Sequence, residues 1–212
     1  MNDIAMSDFV EDATLEEAAD DAAWASIQTP FSVEQLTNFL SDIERLYRIN
    51  PMLEFKSWKA TGNNSYSFSG KNISQDPEFE FDVNLTVIKQ EHGYFIEYDK
   101  GIKSSTELKI EQAETGSTLT ITDRYDRLPA EERENHIAEV DKSLVIWAKY
   151  LQRFFVMWQR WSKFSLWRWY MRRVWQPMKP TARRITYMLL WISVVEVALI
   201  LLGVGIYFSE YA

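Results

Sequence analysis

From Ile185 to Phe208 the chain reads ITYMLLWISVVEVALILLGVGIYF, an apolar run interrupted only by Thr186, Ser193 and Glu196. As a helix this run reaches roughly 36 Å, enough to cross a hydrocarbon layer of ~30 Å with some tilt. A soluble helix of that length keeps a polar face, and this one has none. The expectation is a spanning helix over residues 182–208, followed by a short tail, 209–212. Tyr187 and Trp191 near one end, and Tyr207 and Tyr211 near the other, fit the aromatic belts of a bilayer.

Orientation follows from the flanks. Arg183 and Arg184 abut the start of the run, and only Ser209, Glu210, Tyr211 and Ala212 come after it. The positive-inside rule then places residues 1–184 in the cytoplasm of a single-pass protein, with the bacterial inner membrane as the expected location. In that orientation the triplets at Asn63, Asn72 and Asn84 never meet a glycosylation machinery. Glu196 lies mid-span, where a charge is costly, so it is either protonated, paired with another helix or functional, and a membrane protein complex is a candidate partner through this residue.

The net charge of −8 hides a segregation: residues 142–195 contain eleven Lys and Arg and no Asp or Glu. The opening stretch, 1–21, is acidic, has no basic residue and reads as a disordered tail without a secretory signal. A basic C-terminal half needs an acidic partner, either nucleic acid or anionic lipid. Basic residues with interleaved aromatics can stack on nucleic-acid bases. Because this segment leads directly into a span, lipid is the expected partner and no nucleic acid is. The residues expected at the membrane surface are Trp158, Trp161, Trp167, Arg168, Trp169, Arg172, Arg173, Trp175, Arg183 and Arg184, with 166–181 as the interfacial segment. Pro177 and Pro180 then break the helix before the span.

Upstream, Ile137, Val140, Leu144, Trp147, Leu151, Phe154, Trp158 and Trp161 alternate spacings of three and four, forming one apolar stripe on a long helix that starts near Pro129. Tryptophans are poorly suited to a coiled-coil seam, so the stripe is expected to pack on the chain's own sheet. That sheet is legible between Met52 and Arg127, where apolar residues recur with period two and turn signals separate the runs. A further strand is expected at 22–30. Between it and the rest, Ser32 and Gln35 make a capping box for a first short helix, an interruption falls near Ser41 and Asp42, and Pro51 stops a second.

This order of elements, with the phrase FLSDIERLYRINPMLEF at 39–55, resembles the START-like superfamily, also called the polyketide cyclase and lipid-transport or helix-grip family. The resemblance covers residues 22–165. It implies an α+β fold in which a curved antiparallel sheet wraps a long C-terminal helix, here followed by an interfacial helix and a transmembrane helix. It also implies an apolar cavity for a hydrophobic small molecule such as a lipid, isoprenoid or quinone. The inward positions expected to line it are Phe55, Tyr66, Phe68, Phe81, Val83, Leu85, Tyr94, Ile96, Tyr98, Leu108, Ile110, Leu144, Trp147 and Leu151. The same rings could equally fill the core.

Chemistry is thin by comparison. Cysteine is absent, which excludes thiolate metal sites, a cysteine nucleophile and disulfides. His92 and His136 are the only imidazoles, and each reads as a solvated residue. The stretch Asp123-Arg124-Tyr125-Asp126-Arg127 reads first as a solvated strand face and second as a headgroup contact. With no acid–base pair to name, the expectation is a module without cofactor or metal that binds rather than catalyses. A non-enzymatic accessory subunit of a membrane complex is the alternative, and a cyclase or aromatase reaction a distant third.

Overall fold

The computed structural model describes residues 22–74, 78–127 and 130–211, with only the backbone placed for 130–142 and 210–211. The acidic tail, Pro129, and the side chains of His136, Ile137 and Val140 lie outside the described residues.

Seven strands form one antiparallel sheet: β1 (Ala22–Thr29), β2 (Leu53–Gly62), β3 (Ser65–Asn72), β4 (Phe79–Gln90), β5 (Gly93–Tyr98), β6 (Ser105–Gln112) and β7 (Ser117–Arg124). Their order is β1-β7-β6-β5-β4-β3-β2, so β2 to β7 make a meander and β1 closes onto the last strand. Register breaks in β2 at Phe55/Ser57 and Ala60/Gly62 bend its edge. The period-two pattern holds: Val83, Leu85 and Val87 are buried while Asp82, Asn84 and Thr86 are exposed.

Two short helices follow β1. In α1 (Val33–Leu40) the Ser32 hydroxyl accepts from the Gln35 N–H, and the Ser32 N–H donates back to Gln35 Oε1. In α2 (Ile43–Arg48) the Asp42 carboxylate accepts from the Arg45 N–H at 3.1 Å. These caps satisfy orphan donors and fix where the helices start. α1 packs on β5 and β6, and α2 on β2.

The long helix α3 (Ala130–Trp161) lays Leu144, Trp147, Ala148, Leu151, Phe154 and Phe155 into the core, all at most 3% exposed. The chain then departs from the expected continuous run into the interface. It turns at Ser162–Phe164, forms α4 (Ser165–Tyr170) and widens into a π-helical turn, Met171–Trp175. This piece folds back along α3: the Trp167 ring lies 5.3 Å from Trp158, and the Trp175 ring stacks 5.9 Å from Phe154. No Pro or Gly marks the turn, so ring packing rather than local sequence imposes it. Only after Gln176 does the chain turn again, near the prolines where a break was expected, into α5 (Pro180–Tyr211). Its Pro180–Ser209 stretch is long and apolar enough to cross a membrane, and none of its most apolar window is buried by the rest of the chain.

Candidate functional site

A cavity of about 150 Å³ opens between the inner face of the sheet, α2 and the first described side chains of α3. Its apolar wall is Leu53, Phe68, Phe79, Phe81, Val83 and Ile102. Such a volume holds one ring or a short length of chain, since pockets for whole drug-sized ligands run to ~300–1,000 Å³. One glycine lines it and another packs behind its Phe81 wall. Gly101 carries φ +104 in the β5–β6 loop that covers the cavity, a conformation L side chains rarely adopt. Gly70 sits where β3 meets β2, and a Cβ there would fall 2.3 Å from the Glu54 carbonyl oxygen and 2.9 Å from the Phe81 ring.

The opposite wall is polar and continuous. The hydroxyls of Tyr47 and Tyr98 are hydrogen-bonded to each other, and Tyr98 reaches Thr106 Oγ1 at 2.9 Å. Thr106 donates to Asp123 Oδ1 at 2.5 Å, the Lys103 ammonium bonds Asp123 Oδ2, and the Tyr125 hydroxyl donates to the same oxygen at 3.4 Å. Asp123 is fully buried, which a carboxylate tolerates only when paired and hydrogen-bonded. Burial pushes the Tyr47 and Tyr98 phenols up, Tyr47 well above the ordinary range. Burial acts to lower the Lys103 ammonium, but Asp123 and Tyr98 outweigh it and the net shift is upward. Lys103 lines the cavity, and its side chain is 35% exposed. The arrangement can donate hydrogen bonds to an oxygen on a molecule whose apolar part lies against Phe68 and Phe81.

Of the positions expected to line a cavity, Phe68, Phe81, Val83 and Tyr98 do so. Phe55 on the edge strand β2 and Tyr66 on β3 are half-buried, in ring contact with Trp58. Tyr94, Leu85, Ile96, Leu108, Ile110, Leu144, Trp147 and Leu151 are buried in the core without reaching the cavity. Lys103, Tyr47 and Tyr125 were missed as lining residues. For Tyr125 and Asp123 the signal was available, because both continue the inward parity of Leu119 and Ile121 on β7. The expected solvated face is therefore corrected: Asp123 and Tyr125 point in, while Arg124, Asp126 and Arg127 are exposed. His92 is exposed in its turn. Among the described residues no group of three or more His, Cys, Asp and Glu could hold a metal ion.

The residues expected at a membrane surface also divide. Trp158, Trp167 and Trp175 are half-buried against the domain, whereas Trp161, Arg168, Trp169, Arg172, Arg173 and Arg184 are exposed. Arg183 is half-buried, with its guanidinium 4.2 Å from the Trp175 ring centre and bonded to the carbonyls of Trp175 and Gln176. Beside the exposed tryptophans stand Phe164 and Leu166, 58% and 75% exposed. Glu196 faces outward from α5.

No family model matches the sequence, and no curated protein does. Solved structures do match. TTHA0849 from Thermus thermophilus is similar with a TM-score of 0.51 at 13% identity, over 64% of this chain and 97% of that one. A START superfamily protein from Mycobacterium smegmatis is similar with a TM-score of 0.49 at 14% identity, over 65% of this chain and 98% of that one. The di-domain ARO/CYC StfQ from the steffimycin biosynthetic pathway matches 66% of this chain at 7% identity and a TM-score of 0.49, and this chain spans 53% of its length. The architecture is that of an α+β helix-grip protein. It shares this fold with TTHA0849 and carries an added long apolar helix.

Proposed function

We propose that this chain is a membrane-tethered START-like module that takes one end of a hydrophobic amphiphile, a lipid, isoprenoid or quinone, into the cavity beside Lys103. The observation that carries the reading is the two-sided wall: rings on one side, and on the other a buried polar chain ending in the half-buried Lys103 side chain. The size of the cavity favours a single ring or chain end, with the remainder of the ligand left in the bilayer. The rim supports this. Leu53, Asn72 and Phe79 are neighbours across β2, β3 and β4 at the cavity edge, and the next residue, Glu54, bonds Lys179 just before α5. The cavity edge and the root of the tether are thus held together, with the domain on the cytoplasmic face and exposed Phe164, Leu166 and Trp169 at headgroup depth.

The test is the full chain in detergent micelles, with retained small molecules identified by mass spectrometry and Val83→Trp used to fill the cavity. Wild type is expected to retain a hydrophobic oxygen-bearing molecule that the folded variant loses. Retention by neither protein, with no shift of the unfolding midpoint on adding membrane-lipid extract, would overturn the reading in favour of a docking subunit that pairs through Glu196.

A further inference from the structure

We propose that Arg45, with Arg172 beside it, forms a phosphate-binding site at the junction of the START-like domain and the membrane helix, and that the phosphate it takes is an anionic phospholipid headgroup. The inference rests on the tether half of the proposed function and is independent of the cavity.

Arg45 belongs to α2, yet its guanidinium lies among rings from two other helices. Its carbon is 4.3 Å from the Phe39 ring centre, 4.0 Å from Trp158 and 5.4 Å from Phe154. Aromatic faces hold a cation but accept no in-plane hydrogen bond from its edge. The residue is 9% exposed, and its Nε and Nη2, both closed to solvent, have no hydrogen-bond partner among the described residues. The acids of α2 are engaged elsewhere: Asp42 accepts from the Arg45 backbone N–H, and Glu44 bonds Arg48 at 2.7 Å.

A second cation makes the deficit of negative charge worse. The Arg172 guanidinium lies 5.6 Å from the same Trp158 ring. Burial first and Arg172 second push the Arg45 pKa down to about 10, with Asp42 opposing them, so Arg45 stays charged at neutral pH. Two cations gathered at one ring, one of them nearly buried, are stabilised by a compact anion with several acceptor oxygens, and a planar guanidinium suits phosphate. Arg172 belongs to the folded-back helical segment that ends a few residues before α5, and Trp158 to the end of α3 against which that segment packs, beside exposed Trp161, Phe164 and Trp169. That places the site where lipid phosphates lie.

The experiment uses the full chain in uncharged detergent micelles, titrated separately with dihexanoyl phosphatidylglycerol, glycerol phosphate and inorganic phosphate. Tryptophan emission is the readout, because Trp158 stacks on Arg45. Saturable phosphatidylglycerol binding is expected, weakened at least tenfold in Arg45→Gln and severalfold in Arg172→Gln, with exposed Lys149→Gln unchanged. Glycerol phosphate and inorganic phosphate should bind far more weakly. If inorganic phosphate binds as tightly as the lipid, the headgroup assignment is overturned and the site is one for free anions. If both arginine variants bind the lipid as wild type does, the site itself is overturned. Should Arg45→Gln fail to fold, Arg172→Gln carries the test alone, since Arg172 is exposed. Flotation with vesicles scores tethering separately, so loss of attachment and loss of the site are distinguishable.

Discussion

Lys179 and Glu54, 125 residues apart in sequence, meet at 2.5 Å, so the last residue before α5 is tied to the first turn-out of β2. Lys179 is 65% exposed, and such a pair contributes at most about 1 kcal/mol. Its value is as a proximity marker. The chain lacks cysteine, so Glu54→Cys with Lys179→Cys introduces the only thiols, and a short bis-maleimide is expected to link them within one chain in micelles. A linked product that runs anomalously on a denaturing gel checks this; its absence would mean that α5 is not docked at β2.

Deleting residues 180–212 should leave the domain folded, because the apolar window of α5 is not buried by the rest of the chain. Weak vesicle association should persist through Phe164, Leu166 and Trp169. Near-unchanged thermal unfolding of the truncated chain, with reduced co-flotation, is the expected pair of results.

Trp147 is 2% exposed and packs 5.4 Å from the Tyr47 ring, outside the cavity. Trp147→Ala should therefore cost roughly 3–5 kcal/mol, the loss typical of an aromatic removed from a packed core. Phe79→Ala, at the rim and 43% exposed, should cost under ~1 kcal/mol and chiefly weaken ligand retention. Chemical denaturation and retention by mass spectrometry separate the two.

The polar wall gives the protein an alkaline limit. Tyr47, Tyr98 and Lys103 all have pKa values raised by folding, burial being the first cause for the phenols and Asp123 overcoming burial for the ammonium. Groups raised in this way stabilise fully below their unfolded pKa, near 10 for all three, and lose that stabilisation as pH rises through the folded value. The unfolding midpoint should thus be flat from pH 7 to about 9 and fall above about 10. Tyr98→Phe should lessen the fall; an identical pH profile in the variant would remove Tyr98 from the account.

Breaking the buried pair by Asp123→Ala should destabilise by roughly 2–4 kcal/mol, somewhat below the usual cost of breaking a buried pair because Lys103 keeps contact with solvent. Urea unfolding of the variant measures it.

Much of this fold was legible because its signals are local. The capping box at Ser32 and Gln35, the stop at Pro51 and the period-two alternation of Val83, Leu85 and Val87 are decided within a few residues. The cavity was only partly legible. Inward parity identifies Phe68 and Phe81 as facing the core but does not say which inward ring meets a neighbour and which meets a void, since that depends on how far α3 stands from each strand. Lys103 sits in a loop with no periodicity, and its role follows from Asp123 across two strands. The turn at Ser162–Phe164 was invisible because it is set by Trp158 and Phe154 receiving Trp167 and Trp175, a contact between segments that carry the same composition.

The pairing of β1 with β7 fixes an order of events during synthesis. Thr29 must wait for Ser117, 88 residues later, before its hydroxyl meets a partner in the sheet. Until then β1 is an open strand edge with an Ala- and Ile-bearing face, the kind of surface that pairs with the wrong chain. The meander from β2 to β6 can assemble meanwhile from neighbouring hairpins, so the slow step is closure of a long loop rather than formation of any one strand. A nascent chain stalled before β7 is thus the form of this protein most exposed to aggregation and most in need of a chaperone.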